Sequence, residues 1–557
     1  MKVCDTMDKI IITFENGKKK EYKKGIKLFE IIESIKNDYS HSIISAKFKN
    51  QLISYDDALM KNGDLVLFDI MSPQGNKIYE RGLIFMFQVC TQKILGKDTK
   101  IKIRHPIDRG IFCEIDKKIT EKDIEEITKL MKEKVKEALP FEQLETSRIE
   151  AIDYFKKLKR YDKVKTLSYT TSNFVKLYKF DGVYNYIIGD LPHDSSILKL
   201  FKLTLLKNKG VVLRFPFNYD NGRIKEYVYH EKYVNSLDEY AKWGNLLNIN
   251  NIGELNEAII KEGSGEIINL SETIQDHKLF NIAEEISKNN NNIKLVLLSG
   301  PSSSGKTTTA KKLALYLKTL GLKPIPISID DYFLERVDTP LGADGKPDYE
   351  GLRALDIKLF NRQLKKILEG NEVITPTFNF ITGKKEFNKP IKLDENGLLI
   401  VEGLHALNDS ISKEIPKENK YKIYISPLIF LNIDNDNRIS LTDIRLLRRM
   451  VRDYRTRGKS PTTTLETWTD VRIGEEQYVF PYQDDADVIF NSFLAYELGV
   501  LKTYVEPLLY SVQPEDKEYH TAMRLLKILK LVLPIPSNDV PQTSILREFI
   551  GESYFEK

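Results

Sequence analysis

The chain has little cysteine and no long apolar run, and each shortage narrows what the protein can be. Its 557 residues include three cysteines, Cys4, Cys90 and Cys113, with no paired spacing. That excludes a disulfide framework and a cysteine-rich zinc site, and it is typical of a reducing compartment. Because no stretch of about 18 apolar residues occurs, we expect no transmembrane helix. The N-terminus lacks an apolar segment followed by a cleavage site, so we expect no secretory signal, no membrane partner and a cytoplasmic location.

A strong charge imbalance is also lacking. The net charge of +5 is mild for this size, so charge alone does not indicate nucleic-acid binding. No internal repeat or long low-complexity segment is visible. A length of 557 residues is too great for one hydrophobic core and predicts roughly three or four domains.

Residues 293–309, IKLVLLSGPSSSGKTTT, join an apolar strand to a helical pattern. The loop between them fits G-x-x-x-x-G-K-[ST], in which backbone N–H groups converge on phosphate oxygens and the helix N-terminus adds its positive end. Lys306 would reach the β- and γ-phosphates, and Thr307 would hold Mg²⁺. The sequence therefore predicts a nucleoside-triphosphate site formed by Gly300, Ser302, Ser303, Ser304, Gly305, Lys306, Thr307 and Thr308.

From residue 293 onward, short apolar runs alternate with helical patterns. The candidate strands are KLVLLSG, KPIPISID, GLLIVEG, YKIYIS and ADVIFN. Runs without polar alternation are typical of parallel strands buried on both faces. We therefore expect a doubly wound parallel sheet whose ligands bind at the carboxyl ends of the strands.

Acidic residues stand at two of those strand ends. Asp330 and Asp331 follow the second strand, where a carboxylate can orient an acceptor hydroxyl and accept its proton. The alternative is that one of the pair caps the next turn. Glu402 ends the third strand and is placed to act on Mg²⁺, usually through water, although backbone groups would also satisfy it.

Residues 442–458, TDIRLLRRMVRDYRTRG, predict a docked helix with arginines three and four residues apart. Arginine binds phosphate in a bidentate manner and stabilises charge on a transferring phosphoryl group. We interpret the helix as part of a lid that carries arginines onto bound nucleotide, followed by a mobile segment at SPTTT. The alternatives are a solvated basic face and a nucleic-acid patch. The arginines are Arg445, Arg448, Arg449, Arg452 and Arg455.

Residues 275–510 resemble the uridine kinase and phosphoribulokinase family in six ordered motifs: GPSSSGKTT, SIDDYF, PDYE, TPTFNF, VEG and RLLRRMVRDYRTRG. That family transfers the γ-phosphate of ATP to a sugar hydroxyl, which in uridine kinases is the 5′-hydroxyl of uridine or cytidine. The resemblance implies ATP and Mg²⁺ as cofactors, Asp330 as the catalytic base and Glu402 as the acid of the magnesium site. The other catalytic residues that it implies are Lys306, Arg448 and Arg452.

The same resemblance implies an acceptor pocket. Asp348 matches the ribose-binding aspartate, and Phe378 and Phe380 match aromatics around the base. Arginines matching lid positions that contact nucleotide or substrate include Arg445 and Arg457. One departure concerns Gly383, which stands where uridine kinases usually have a histidine, in a pattern like Y-D-F-x-x-H. The nucleoside therefore stays open, and the alternative is a phosphoribulokinase-like kinase of another sugar or small molecule.

The front half has resemblances of its own. Residues 8–70 resemble the TGS domain, and residues 75–235 resemble the second N-terminal domain of threonyl-tRNA synthetases in HPIDRGIFCEI, TEKDIEEI and LPFEQLETSRIEAIDYF. That synthetase domain edits mischarged tRNA with four residues, which align here with Arg81, Phe85, Gly189 and His193. Because three of the four are lost, we expect neither metal binding nor editing chemistry. The front half is then a scaffold, a sensor or an RNA-docking platform. If it docks RNA, the alternative for the whole protein is an ATP-switched regulatory protein that contacts tRNA through residues 1–235.

Together these observations predict a multidomain α/β protein. The expected segments are 1–70, a β-grasp domain; 71–235, an α+β domain; 236–274, a helical connector; 275–510, the P-loop kinase domain; and 511–557, a helical tail. The stretch 517–536 predicts an apolar helix that packs on its own domain or on a partner, which leaves an oligomer open.

Overall fold

The chain folds into a mixed α/β structure with several sheets, as the sequence predicts. The computed structural model describes residues 9–206, 210–217, 220, 222–342, 345, 347–379 and 382–556. Within these ranges no helix is both long and apolar enough to span a bilayer. Cys90 and Cys113 are buried free thiols.

Residues 9–70 form a mixed sheet crossed by one helix. The elements are β1 (Lys9–Phe14), β2 (Lys19–Lys23), β3 (Ile26–Lys27), α1 (Leu28–Ile35), β4 (Ile43–Phe48), β5 (Gln51–Ile53), β6 (Ala58–Leu59) and β7 (Gly63–Asp69). The predicted hairpin turns at Asn16 and Gly17, and Gly17 takes the left-handed φ of 77° that such a turn requires. The sheet order is β2-β1-β7-β4-β5, and α1 buries its apolar face in a separate core of this region.

Residues 73–214 form a second α+β region. Its elements are α2 (Pro73–Leu95), β8 (Ile101–Ile107), β9 (Gly110–Ile115), α3 (Glu121–Glu137), β10 (Glu142–Ser147), α4 (Arg148–Lys157), α5 (Tyr161–Ser168), β11 (Phe174–Phe180), β12 (Val183–Asn185), β13 (Lys202–Leu206) and β14 (Gly210–Arg214). The sheets have the orders β13-β14-β9-β8 and β10-β11-β12. Helix α3 begins at the expected Thr120 cap, where Thr120 and Asp123 each accept a backbone N–H from the other.

Three helices follow: α6 (Glu231–Leu246), α7 (Ile252–Lys261) and α8 (Ser264–Lys288). The sequence predicts a largely helical stretch here that ends at the asparagine run, and α8 does end at Lys288, with Asn289 as its C-cap. The predicted boundary between residues 274 and 275 falls inside α8. Buried residues of all three helices, such as Leu237, Leu255 and Leu279, share one hydrophobic core with the sheet that follows.

The next region contains the predicted parallel sheet. Its elements are β15 (Leu295–Ser299), α9 (Lys306–Thr319), β16 (Lys323–Ser328), α10 (Ile357–Leu368), β17 (Val373–Asn379), β18 (Lys384–Ile391), β19 (Gly397–Glu402), β20 (Lys420–Ser426), α11 (Leu441–Arg457), α12 (Pro461–Glu466), α13 (Trp468–Tyr478) and β21 (Val488–Asn491). The order is β16-β19-β15-β20-β21, with every pair parallel. All five strands are the predicted ones, whereas the β17–β18 hairpin was not expected.

The C-terminal part packs on its own chain. It consists of α14 (Glu497–Tyr510), α15 (Tyr519–Leu529) and α16 (Arg547–Ile550). Leu525 of α15, Ile535, Ile545 and Phe549 are buried in the core that the parallel sheet also lines. The apolar tail helix therefore contacts its own region, which was one of the two expected placements.

Candidate active site

The phosphate loop follows β15 and leads into α9. Ser303 and Gly305 have left-handed φ values of 59° and 88°. A Cβ on Gly300 would overlap the carbonyl oxygen of Ile425 on β20, so glycine is needed where the loop leaves the sheet. Lys306 Nζ donates to the carbonyls of Gly300 (3.0 Å) and Pro301 (3.3 Å). Its ammonium group thus lies under the curve of the loop.

The polar groups of this loop suit an anionic ligand. The Ser302 N–H donates to Glu475 Oε1 (2.8 Å), and the Thr308 N–H donates to Glu548 Oε2 (3.2 Å). Both amides therefore already bind carboxylate oxygens. The buried hydroxyls of Ser303 and Ser304 have no hydrogen-bond partner among the described residues. Converging amides with spare donors at a helix N-terminus are the groups that hold phosphate.

Thr307 and Glu402 meet at the carboxyl end of β19. Thr307 Oγ1 donates to Glu402 Oε1 (3.0 Å), and Glu402 is buried. Burial, together with the charge of Asp330, raises the pKa of Glu402 to about 7. Within the described part of the chain no group of three or more His, Cys, Asp or Glu side chains is arranged around a metal position. A hydroxyl and one carboxylate suit Mg²⁺ that takes its remaining ligands from water and phosphate.

The adjacent aspartates at the end of β16 separate into two roles. Asp331 Oδ1 accepts the Phe378 N–H (3.1 Å), so Asp331 fixes β17 against the sheet. Asp330 lies on the loop side, where its charge raises the pKa of both Glu402 and Glu350. Of the pair, Asp330 is therefore the one that faces the phosphate loop.

Sequence reasoning missed Glu350, which lies two residues after the predicted Asp348. Asp348 Oδ1 accepts the Gly351 N–H (2.9 Å) and closes a turn. Burial raises the pKa of Glu350 to about 7; nearby Arg449 and Lys306 oppose this, and Glu475 and Asp330 add to it. The only sequence signal was its place in the PDYE motif, beside the aspartate that drew attention.

Two of the predicted lid arginines are locked in the interior. Arg445 and Arg448 are fully buried. Arg445 Nε donates to the Ser302 carbonyl (2.9 Å), and its guanidinium pairs with Glu475. Arg448 holds Glu497 through Nε (3.0 Å) and Nη2 (2.6 Å). These arginines brace the phosphate loop and α14, so the structure presents a packed helix where the sequence suggested a lid.

The other arginines of α11 gather around one carboxylate. Arg449 Nε (3.2 Å), Arg452 Nη2 (3.1 Å) and Arg457 Nη1 (3.3 Å) all approach the buried Asp453. Arg449 also donates to Ser302 Oγ (2.8 Å). The charge of Arg452, together with burial, lowers the pKa of Arg457 to about 10. This group carries an excess of positive charge beside the loop, as phosphate binding requires.

The other two predicted features of this region differ from expectation. Arg455 turns away from the loop and donates to the Phe549 carbonyl (3.2 Å) and to Glu556. The SPTTT stretch, which was predicted as mobile, forms helix α12, and Ser460 Oγ accepts the Thr463 N–H (3.1 Å) at its N-cap. The cause is the cap followed by proline, a combination that starts a helix.

Of the residues predicted for the acceptor pocket, Phe378 lies on β17 of the β17–β18 hairpin. Phe378 is buried, with its ring centroid 5.9 Å from that of Phe333. Gly383 has φ 71°, and a Cβ there would lie 2.7 Å from Arg336 Cδ. The side chain of Arg336 therefore lies over the position at which uridine kinases usually have histidine. Phe380 lies outside the described residues.

The four positions aligned with synthetase editing residues make other contacts in the structure. A Cβ on Gly189 would lie 2.7 Å from Arg81 Cζ, and Arg81 Nε donates to the Asp190 carbonyl (2.9 Å). Phe85 is buried in the core, and His193 stacks on Tyr55 (centroids 5.2 Å apart).

Comparison with known proteins gives separate matches for two parts of the chain. Its N-terminal part matches threonine–tRNA ligases: that of Francisella tularensis subsp. novicida (strain U112) is 28% identical over 244 residues, which is 42% of this chain and 38% of the relative. The enzyme of subsp. tularensis (strain SCHU S4 / Schu 4) is 27% identical over the same shares. The chain thus spans less than two fifths of the length of these relatives.

Solved structures similar to the chain include two kinases. A possible uridine kinase from Bacillus stearothermophilus is 18% identical, with a TM-score of 0.26, and the match covers 38% of this chain and 100% of that one. The D-glycerate 3-kinase from Cryptococcus neoformans var. grubii serotype A is 14% identical, with a TM-score of 0.22, over 48% and 89%.

A family match falls on the residues that form the site. Residues 295–497 match the model of the Phosphoribulokinase / Uridine kinase family, from the first residue of β15 to the first residue of α14. That range contains the phosphate loop, Asp330, Glu402 and the arginines of α11. The C-terminal region of the chain, over residues 295–497, is therefore similar to the Phosphoribulokinase / Uridine kinase family.

Proposed function

We propose that the protein is an ATP-dependent nucleoside kinase that transfers the γ-phosphate to the 5′-hydroxyl of uridine or cytidine. The observation that carries the proposal is the placement of Asp330 beside the joined pair Thr307 and Glu402, at the carboxyl ends of neighbouring strands. In-line phosphoryl transfer needs a base, a metal-binding pair and a phosphate loop, here at one edge of the sheet.

Each residue then has a defined task. Lys306 and the loop amides hold the phosphates, and Asp330 orients the acceptor hydroxyl and takes its proton. Thr307 and Glu402 would hold Mg²⁺, which would supply positive charge to neutralise the phosphates. Arg449 and Arg452 stabilise the transferring group, while the buried Arg445 and Arg448 keep the loop and α14 in place.

Glu350 extends the acceptor site. Its carboxyl group lies close enough to Asp330 for the charge of Asp330 to raise its pKa. When charged, it can accept a hydrogen bond from a ribose hydroxyl and so orient the sugar. We assign this task to Glu350 in place of Asp348, whose carboxylate is engaged in its own turn.

Two residues bear on the identity of the base. Phe378 offers an aromatic wall, which suits a pyrimidine, but Arg336 lies where the expected histidine would be. Another sugar or small molecule with a primary hydroxyl is therefore the alternative acceptor.

A substrate panel tests the proposal. Uridine, cytidine, purine nucleosides, ribulose 5-phosphate and glycerate are each incubated with ATP and Mg²⁺, and ADP formation and phosphorylated product are measured. We expect product with uridine or cytidine, and loss of it in Lys306→Ala. Product from another acceptor alone would support the kinase assignment but change the proposed substrate. Absence of product from every acceptor would contradict the kinase assignment.

A second function is favoured by the match of the N-terminal part to threonine–tRNA ligases. We propose that residues 1–235 also contact tRNA. The test is a titration with tRNA at several salt concentrations, because an interface that contacts phosphates weakens steeply as salt rises. Absence of binding at low salt would remove this function and leave the front half as a scaffold.

A further inference from the structure

The connection from β20 to α11 is much longer than its topology needs. Residues 427–440 separate the two elements, whereas strand-to-helix loops of such folds usually take about two to six residues. The loop leaves the kinase sheet and enters the front half of the chain. Ile433, Asp434, Asp436 and Asn437 are buried there. Its polar groups must therefore find partners in the front half.

A buried lysine of α5 supplies the centre of that contact. Lys163 is fully buried, and its Nζ lies 2.9 Å from Asp436 Oδ2 and 3.2 Å from Asp434 Oδ2. It also donates to the Tyr186 carbonyl (3.0 Å). Burial alone would raise the pKa of Asp436, but Arg160 and Lys163 outweigh it and hold that pKa well below its usual range. The carboxylate of Asp436 is therefore charged and bound.

Neutral groups of the front half complete the network. Gln88 Nε2 (2.7 Å) and Asn185 Nδ2 (3.0 Å) donate to the carboxylate of Asp436. The Ile103 N–H donates to the Asn435 carbonyl (2.8 Å), and Thr166 Oγ1 donates to the Ile433 carbonyl (2.9 Å). Each of these four groups donates to an acceptor of the loop, although the buried amide oxygens of Gln88 and Asn185 have no hydrogen-bond partner among the described residues.

The loop runs directly into the helix that braces the phosphate loop. Arg438 pairs with Glu80 of α2 through Nη2 (2.9 Å), and α11 begins three residues later. Arg445, on the second turn, contacts the Ser302 carbonyl (2.9 Å). A short rigid segment thus joins the contact at Lys163 to the residue that touches the phosphate loop.

We propose that the front half positions the arginine helix for phosphoryl transfer, with Lys163 and Glu80 as its positioning residues. The proposal rests on the proposed kinase function, and it gives the residues without editing chemistry a role in that reaction. Lys163 contacts Asp434, Asp436 and Tyr186, and Glu80 contacts Arg438. They act through the loop 432–438, because its conformation sets where α11 starts and where Arg445 and Arg449 meet Ser302.

A merely structural role is the competing explanation. Removing one partner of a buried ion pair destabilises a protein by leaving the other charge uncompensated. Such a loss lowers the folded fraction, but it leaves the turnover of each folded molecule unchanged. Positioning instead predicts slower turnover in molecules that are still folded, together with looser amides in α11.

The experiment compares Lys163→Met with Lys134→Met in the full chain. Lys134 is a matched control because it is a mostly buried lysine of the front half that pairs with Glu137 (2.8 Å) and Asp181 (3.2 Å), away from the loop. We measure kcat with uridine per folded molecule, the Kd of ATP by calorimetry, and hydrogen exchange of the amides of 441–457. In Lys163→Met we expect kcat to fall roughly 10- to 100-fold, as for a small misplacement of catalytic groups. We also expect α11 to exchange at least ~10-fold faster.

Further variants keep the outcome decisive. Asp434→Asn in the Lys163→Met background removes one uncompensated charge, so it should recover part of the lost turnover and protection. If Lys163→Met does not fold, Glu80→Gln carries the test, with the same direction and a smaller effect. Unchanged kcat and unchanged exchange of α11 in a folded variant would overturn the proposal. Absence of ATP binding by the wild type would instead contradict the kinase function, while the exchange data would still test the positioning.

Discussion

Two adjacent aspartates make the catalytic assignment testable at single residues. Asp330→Asn keeps the shape of the side chain but cannot accept the proton of an acceptor hydroxyl. We expect kcat to fall at least ~100-fold, in line with general-base contributions, with the Kd of ATP unchanged. Asp331→Asn is the control, because an amide oxygen can still accept the Phe378 N–H (3.1 Å), so a smaller loss is expected. Equal losses in both variants, or a matching loss of ATP affinity, would give Asp330 a structural or metal role.

Glu350 should give the reaction a pH dependence. Its pKa is raised to about 7, so its carboxyl group is neutral below that pH and charged above it. If the charged form orients the sugar, kcat/KM for uridine falls as pH drops through 7, by up to ~10-fold per unit. The groups that face it are Arg449, Lys306, Glu475 and Asp330.

The variant Glu350→Gln should lose that inflection and show a low, flatter profile. Measurements at saturating Mg²⁺ keep Glu402 ionised, so its own pKa near 7 does not contribute. Glu386→Gln on the exposed side of the hairpin is the control and should keep the wild-type profile. An inflection near pH 7 that persists in Glu350→Gln would show that another group titrates.

At the level of residues, sequence patterns located the site but did not assign every role. The phosphate-loop spacing placed Lys306 and Thr307, because those tasks depend on local chain geometry. Helical spacing on α11 could not tell which arginines are buried, since Glu475 and Glu497 pair with them across 30 and 49 residues. The sequence also could not tell which of Asp348 and Glu350 is available to a ligand, because a turn sets the orientation of both side chains.

At the scale of elements, apolar runs predicted all five parallel strands because both faces of such strands are buried. The β17–β18 hairpin was missed for the opposite reason. It is a two-stranded ribbon with a proline, Pro376, at a register shift, and most of β18 is exposed. Its pattern therefore resembles that of a loop.

The segment that carries α16 covers the phosphate loop and should compete with nucleotide. Glu548 Oε2 accepts the Thr308 N–H (3.2 Å), and the side chain of Ile545 lies against Gly305. A phosphate oxygen bound at the same amide has to displace that carboxylate and meets its negative charge. Glu548→Gln should therefore bind ATP more tightly, by roughly 3- to 10-fold, which corresponds to about 1 kcal/mol, the difference between a charged and a neutral hydrogen-bond acceptor.

Calorimetric titration with ATP and Mg²⁺ measures this effect. Glu552→Gln is the matched control, because Glu552 lies in the same segment, is 80% exposed and pairs with Arg547 rather than with the loop. Its Kd should equal that of the wild type. Unchanged or weaker binding by Glu548→Gln would mean that the carboxylate supports the nucleotide site instead of competing with it.

At the scale of the whole molecule, the sequence indicated which segments exist but not how they meet. Composition and periodicity separate the β-grasp-like region, the synthetase-like region and the parallel sheet, since each has its own local pattern. The contact of Lys163 with Asp434 joins residues 271 apart. Neither residue stands out in its own segment, so only the folded chain reveals that the front half and the arginine helix share a buried network.

Residues 9–70 differ from residues 73–214 in how they contact the rest of the chain, so deletion of residues 1–70 should distinguish the roles of the two regions. Most buried apolar residues of 9–70 form a core of their own, whereas Ile44 and Ile70 pack with α2 in the core of the second region. The region touches the C-terminal part through Lys47 Nζ on the Lys517 carbonyl (3.3 Å) and Asn50 Nδ2 on the Glu515 carbonyl (3.0 Å). None of these contacts reaches the loop 432–438. A chain that begins at residue 71 should therefore keep kcat and the Kd of ATP within roughly 3-fold of the full chain, because distant sites couple weakly. Kinase assays and thermal unfolding of both chains check this. A loss of turnover in a deleted chain that still unfolds cooperatively would show that the first region, too, acts on the active site.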